Sequence, residues 1–374
     1  MKKTLVALAA LAATGAFAQS TVTISGVLDA GLNYTSAPAT GASNWAIGRQ
    51  NNNRVIFSGV EDLGGGMKAT FAAQMRFEPN TGNPESNGRP LFQGETTVGL
   101  AGGFGSLKVG RWLPAVQLYN GGLIDPWGVT TVAGQVYAAG YATDYNAGGE
   151  GRTEGIFYSS PSFGGIQGHL TWSPRTINVG GTNYSKSFLS AAGTYINGPV
   201  SAMLGWEQNR AGDQYTVLGG NYDMGVAKLY VGVHQAKGGS TADRAGVAFN
   251  AVAGGLNGCA AANTKRTAAL GANIALGNAC ALGANETING YTLGANIPMG
   301  ATTIRVGYSS YASDLAGQDR DSKLGLGLNY ALSKRTAIYT DIASSTRNNN
   351  LASTNAALDS GNVTQFDIGI AHSF

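Results

Sequence analysis

Between a leader and its last residue, the chain repeats one pattern: apolar and polar residues alternate with a period of two over segments about as long as a bilayer is thick. In 21–34, Val22, Ile24, Leu28, Leu32 and Tyr34 fall on one face and Thr21, Thr23, Ser25, Asp29 and Asn33 on the other. The same alternation runs through 68–77, 166–173, 200–207, 227–234, 303–309 and 364–374. A period of two is that of a strand with one apolar and one polar face. The segments run about 9–12 residues, the length a tilted strand needs to cross a membrane, whereas sandwich strands are commonly 5–6. Aromatic residues gather near segment ends, among them Tyr34, Phe77, Trp112, Trp172, Trp206, Tyr330 and Phe374, as an interfacial girdle requires.

The connections alternate as well. Short turns at 63–65, 102–103, 163–164, 224–225, 299–300 and 333–334 separate long polar loops at 35–51, 78–90, 113–151, 174–185, 237–284, 313–319 and 346–361. Short turns on one side and long loops on the other mark an outer-membrane barrel. The expected fold is all-β, a transmembrane antiparallel barrel of about 16 strands, with 264–278 readable as loop or extra strand. At that strand number the lumen is too wide for side chains to fill, so the polar faces line water and the apolar faces meet lipid. Closure also removes every strand edge from hydrocarbon, where an orphan amide costs several kcal/mol.

Residues 1–18 read as a signal peptide. Lys2 and Lys3 precede the apolar stretch 5–13, and Ala16-Phe17-Ala18 is a small-x-small cleavage site that leaves Gln19 first. No Cys follows it, so a lipid anchor is not indicated. Residues 19–374 form the barrel. Beyond the leader there is no apolar run of helix-spanning length. The leader lysines supply two of the three formal positive charges, leaving +1, which argues against a nucleic-acid partner. Cys259 and Cys280 lie together in a Gly/Ala/Asn-rich stretch. In an oxidising compartment they could close a loop, and two free thiols is the other reading. No His or carboxylate cluster accompanies them, so neither a metal site nor a cofactor is indicated.

Certain blocks carry a family resemblance. They are Gly26-Val27-Leu28-Asp29-Ala30-Gly31, then Arg54 through Glu61-Asp62-Leu63-Gly64-Gly65-Gly66-Met67-Lys68-Ala69, then Val98-Gly99-Leu100 through Phe104-Gly105-Ser106-Leu107-Lys108-Val109-Gly110-Arg111. Tyr158 through Gly165, Leu332 through Tyr339 and Ile370-Ala371-His372-Ser373-Phe374 complete the set. In this order they make the mature chain resemble the trimeric general porins of β-proteobacteria, within the Gram-negative porin family. The resemblance implies a homotrimer in outer-membrane lipid and lipopolysaccharide, passing small hydrophilic solutes and ions. It also implies that Phe374 is the terminal signal read by the barrel assembly machinery, although an ordinary interfacial aromatic would look the same.

The same resemblance implies that loop 113–151, after the fifth strand, folds into the lumen as a constriction. Its acids are Asp125, Asp144 and Glu150, and Asp125 lies in the segment Leu123–Gly128 that best matches the family's inward part. Arg54 and Arg152 match two of the family's lumen arginines. Arg76 and Lys68 share the polar face of the third strand, Lys108 that of the fifth, and Arg111 follows at its end. An arginine on the lipid face would cost about 2–4 kcal/mol at mid-membrane, which points Arg54 inward; Arg305 is a weaker candidate. Two positions depart from the family: Gly94 where an arginine is common, and Gln74 where a glutamate is common. The balance of Arg54, Arg76, Arg111 and Arg152 against Asp125 leans to mild anion preference.

Other classes of exported β chain make different demands on the sequence. A barrel enzyme needs a nucleophile and base, but His169, His234 and His372 are the only histidines and suggest no triad by spacing. A gated transporter needs a plug domain before the first strand. A solute-specific channel remains compatible with the sequence. A secreted β-solenoid would show a short internal repeat, and none is visible.

Overall fold

The computed structural model describes residues 21–36, 44–85, 91–128, 131–135, 152–174, 177–179, 182–183, 186–210, 212–239, 285–314, 320–347 and 361–374. The leader 1–18, Cys259, Cys280, Asp144, Glu150 and 264–278 lie outside them.

Strands follow one another around the wall. The first stretch comprises β1 (Thr21–Thr35), β2 (Asn44–Gly48), β3 (Arg54–Gly64), β4 (Met67–Arg76), β5 (Thr96–Gly102) and β6 (Gly105–Trp112). After helix α1 (Ala115–Ile124) come β7 (Thr153–Ser159) and β8 (Ile166–Ser173). β9 (Ile177–Val179) and β10 (Thr182–Asn183) form a separate small hairpin. The wall resumes with β11 (Phe188–Asn197), β12 (Val200–Gln208), β13 (Gln214–Asp223), β14 (Lys228–Lys237) and β15 (Thr287–Met299). It ends with β16 (Thr302–Ser313), β17 (Asp321–Ala331), β18 (Thr336–Arg347) and β19 (Gly361–Ser373).

Every neighbouring pair is antiparallel, and β1 pairs with β19 from Val27↔Ser373 to Thr35↔Gln365, which closes the sheet. β2 and β3 share one position in the wall, since both pair with the same edge of β1, β3 along Thr21–Val27 and β2 along Gly31–Thr35. The seventeen paired strands therefore make a barrel of sixteen positions, as the alternation predicts. Between β2 and β3, residues 49–53 leave the wall and turn inward. Strand length varies more than the sequence suggests, from five residues in β2 and seven in β5 and β7 to fifteen in β1.

The two faces sort as the period-two pattern requires. Val22, Ile24, Leu170, Leu204, Val231 and Ile370 are exposed on the outside, while Thr171, Ser190, Thr292 and Asp367 are buried on the inside. An exposed apolar band with no core behind it is stable only against lipid. The tight turns need unusual backbone: Gly64, Gly65 and Gly66 have φ of 80°, 61° and 80°, a region where a Cβ is disfavoured. Two short connections join those read from the sequence, a turn between β11 and β12 with Gly198 at φ 56° and the link from β12 to β13, across which Asn209 N donates to Asp213 O.

Candidate functional site: the lumen and its inward segment

The described residues of the 113–151 segment lie against the polar inner wall. α1 is short and contains Gly121-Gly122, so it has little stability alone. The wall supplies the rest. Val116, Leu123 and Ile124 are buried against Met203, Tyr215 and Val217. Pro114 offers no side-chain cap, and two hydroxyls of the barrel take that role. Ala115 N donates to Thr171 Oγ1 at 3.0 Å and Val116 N to Ser190 Oγ at 3.0 Å. Asn221 Nδ2 donates to Leu123 O at 3.0 Å near the other end. Tyr119 packs against His169 with ring centroids 4.2 Å apart and the planes tilted by 35°, and burial pushes the Tyr119 hydroxyl above its usual range, which keeps it neutral.

Residues 125–128 and 131–135 then run along β15 to β18. Asn296 Nδ2 donates to Pro126 O at 3.1 Å, Tyr311 Oη to Gln135 O at 2.8 Å, and Lys323 Nζ to Gly134 O at 2.7 Å. Trp127 Nε1 donates to Asp341 Oδ1 at 2.8 Å. Glycines make the seat. A Cβ at Gly307 would lie 2.6 Å from the Trp127 ring, and one at Gly327 would run into both Asp341 and the indole. In Lys323-Leu324-Gly325-Leu326-Gly327-Leu328 the leucines face out and the glycines face the docked segment.

The inward turn 49–53 is held by a buried polar network. Asp29 accepts from Gln50 N, Asn51 N and Tyr339 Oη. Asp341 accepts from Gln50 Nε2 at 2.5 Å, and its own backbone N–H donates to Asp367 Oδ1 at 3.0 Å. Arg49 bonds Asn52 and forms ion pairs with Glu78 and Glu85.

Against this frame the expected site residues separate. Arg54 and Arg76 are register partners on the inner face. Arg76 is 1% exposed and paired to Glu85 at 2.9 Å, so its charge is largely met within the wall. Arg54 is half-buried and donates to Asn52 O at 3.0 Å. Lys108 faces inward, paired to Glu95 at 2.7 Å and lying over the Trp112 ring. Lys68 is exposed beside the short turn, opposite Asp62. Arg152 is buried. Arg111 pairs in register with Thr96 and Glu154, and its Nε donates to the carbonyl of Gln93, whose side chain in turn bonds Glu85, the partner of Arg76.

Asp125 also differs from the expectation of a pore-facing acid. It is 2% exposed, and its two oxygens accept from Trp127 N at 2.9 Å and Gln135 N at 2.6 Å. A carboxylate used this way shapes the segment's own backbone. The two departures from the family pattern are neighbours. A Cβ at Gly94 would lie 2.6 Å from the Gln74 side chain, and Gln74 Oε1 accepts from Glu95 N at 3.0 Å.

The sequence places Asp29 and Asp367 on polar faces without marking them as site residues, and gives no role to Asp341, Arg49 or Glu85. For Asp341 and Asp367 a signal existed. Asp341 lies between Ile338 and Ile342 of one lipid-facing set and Asp367 between Phe366 and Ile368, and both aspartates fall on the alternate, inward face. For Arg49 and Glu85, both in loops by sequence, no periodic signal existed.

A closed wall that is apolar outside, polar inside and occupied by a docked chain segment defines a transmembrane β-barrel channel. A sequence profile described as "Gram-negative porin" matches residues 4–350. Outer membrane porin protein 32 of Delftia acidovorans is 31% identical, over 92% of this chain and 89% of that protein. An outer membrane porin protein of Bordetella pertussis is 27% identical over the full length of both. Among solved structures, an anion-selective porin from Comamonas acidovorans superposes with a TM-score of 0.75 at 24% identity, covering 95% of this chain and 100% of that one. A trimer form of OmpT, an outer membrane protein of Vibrio cholerae, gives 0.61 at 11% identity, covering 95% and 99%. The chain belongs to the Gram-negative porin family, and it is an outer-membrane diffusion porin.

Proposed function

We propose that this porin passes small hydrophilic solutes passively through a lumen narrowed by the segment 113–151, with a mild preference for anions. The observation that carries the preference is the fate of the charges. Asp125 spends its carboxylate on its own segment, and Asp341 spends both oxygens on Trp127 and Gln50. Arg54 stays half-exposed beside Arg76, with no carboxylate in ion-pair contact among the described residues. A basic wall in a narrow aqueous gap concentrates anions. The name of the Comamonas neighbour agrees with this sign.

The chain assembles as a homotrimer among outer-membrane lipid and lipopolysaccharide, with Phe374 read by the assembly machinery and cleavage after Ala18. The trimeric form of one solved neighbour supports the first of these. Reconstituted protein in a salt gradient is the test. A reversal potential of anion-selective sign is expected, together with liposome swelling that slows as solute size grows. A clear cation preference removes the charge argument, and impermeable liposomes holding folded protein remove the channel.

A further inference from the structure

The inner wall is bare where the inward segment lies on it. Six consecutive strands, β12 to β17, each place a glycine beneath the segment: Gly205, Gly219, Gly232, Gly294, Gly307 and Gly325. In the register Gly219 lies opposite Gly232, while Gly294, Gly307 and Gly325 stand side by side and lead to the small Ala343 on β18. A Cβ at any of the six would meet the segment. Gly205 faces Val116 at 2.9 Å, Gly219 and Gly232 both face Ile124, and Gly294 faces the Pro126 ring. Gly307 faces Trp127 at 2.6 Å and Gly325 faces Ala133 O at 2.9 Å. The contacts follow the order of the strands, from 116 to 133, so the glycines form one continuous track. A glycine inside a strand weakens the sheet, and close approach of another backbone is the usual reason for one there. One inner-face position further along β15, β16 and β17, side chains hold what the track admits. Asn296 bonds Pro126 O, Ser309 Oγ donates to Gln135 Oε1 at 2.6 Å, and Lys323 bonds Gly134 O. Across the lumen the wall is built the other way, and its inner face carries the long side chains of Arg54, Arg76 and Lys108.

We propose that this glycine track sets the size limit of the channel. By omitting a side chain on six strands, it lets the segment sit directly on the wall's backbone, and the aperture is wider by the depth of the missing side chains. This role rests on the narrowing of the lumen by the segment 113–151. The glycines act as positioning residues, since they touch the segment and not the solute. A methyl added to the track has the wall's backbone behind it and the segment in front, and close-packed neighbours must give way. The flanking bonds from Asn296, Ser309 and Lys323 keep the segment docked, so it gives way toward the axis.

Liposome swelling with arabinose, glucose and sucrose reads the limit with neutral solutes, so the charge of the wall does not enter. Gly294→Ala, against Pro126, and Gly307→Ala, against Trp127, should each slow sucrose and glucose more than arabinose and lower single-channel conductance. Pro126→Ala removes the ring atoms that the new methyl at 294 meets. Gly294→Ala combined with Pro126→Ala should therefore recover the swelling rates, a non-additive return that a general loss of stability does not give. Gly193→Ala on β11, whose methyl would meet nothing within 4 Å, should leave the rates in place. The gel-mobility shift of unheated protein shows that each barrel has formed. Gly205→Ala, whose methyl would meet only side chains, with Val116→Ala as its partner, replaces any track variant that does not fold. Unchanged or faster sucrose entry in the folded track variants, or a double variant no better than its single, overturns the track and leaves the diffusion channel standing. Liposomes left impermeable by the unmodified protein remove the channel, and the role of the track with it.

Discussion

Asp125 shows how far a residue's type is from its role. The sequence marks it as an acid in a loop, and only the fold shows that the acid is consumed by two backbone amides. Removing it leaves those amides buried without acceptors, at about 1–3 kcal/mol each. Asp125→Ala should therefore speed amide exchange at Trp127 and Gln135 by tenfold or more, on the order of 1.4 kcal/mol per factor of ten, as read by hydrogen–deuterium exchange. Its reversal potential should move less than that of Arg54→Ala, because a 2% exposed carboxylate contributes little to the field that mobile ions feel. A larger shift for Asp125→Ala would return it to the pore. Arg76 and Arg111 carry the same lesson. Both are bases on predicted strands, yet one is buried in an ion pair with Glu85 and the other donates to the backbone carbonyl of Gln93.

Helix α1 is an element that exists because of its host. Ten residues with two adjacent glycines and no side-chain cap do not hold a helix in water. Here the wall caps its first turn with Thr171 and Ser190 and buries Val116 and Ile124 completely. Ile124→Ala removes the anchor next to Gly219 and Gly232, at about 2–5 kcal/mol for a buried side chain of this size. Exchange in 115–124 should rise sharply in that variant while strand protection holds. Equal loss in the strands would mean the helix supports the barrel, the reverse of the dependence argued here. Periodicity missed this helix for a physical reason. It packs on one wall of a wet lumen, so its apolar stripe is narrow and its sequence reads as loop.

For the whole molecule, the decisive contact is closure. β1 and β19 are 340 residues apart in sequence at Thr21 and Gly361, yet their pairing removes the last edges of the sheet. Phe374 finishes it: its N–H and C=O exchange bonds with Gly26 at 3.1 Å and 3.0 Å, and its ring lies where a Cβ of Gly26 would stand. A chain ending at residue 360 would present two open edges to lipid, each orphan amide costing several kcal/mol. Refolding into liposomes, followed by the gel-mobility shift between unheated and boiled protein, should give no folded species from it. A folded band would show that a fifteen-stranded wall can reclose. The sequence by itself determined the barrel, the side each residue faces, the alternation of short turns and long loops, and the approximate strand number, because lipid and water impose a period of two at every step. It also marked Arg54 as inward. What only the tertiary structure decided is which charges remain free. Asp341 is matched by Trp127 and Gln50, both more than two hundred residues away, while Asp125, Arg76 and Lys108 find partners nearby in sequence that only the folded turns and loops bring within reach, and a period of two does not encode such pairings.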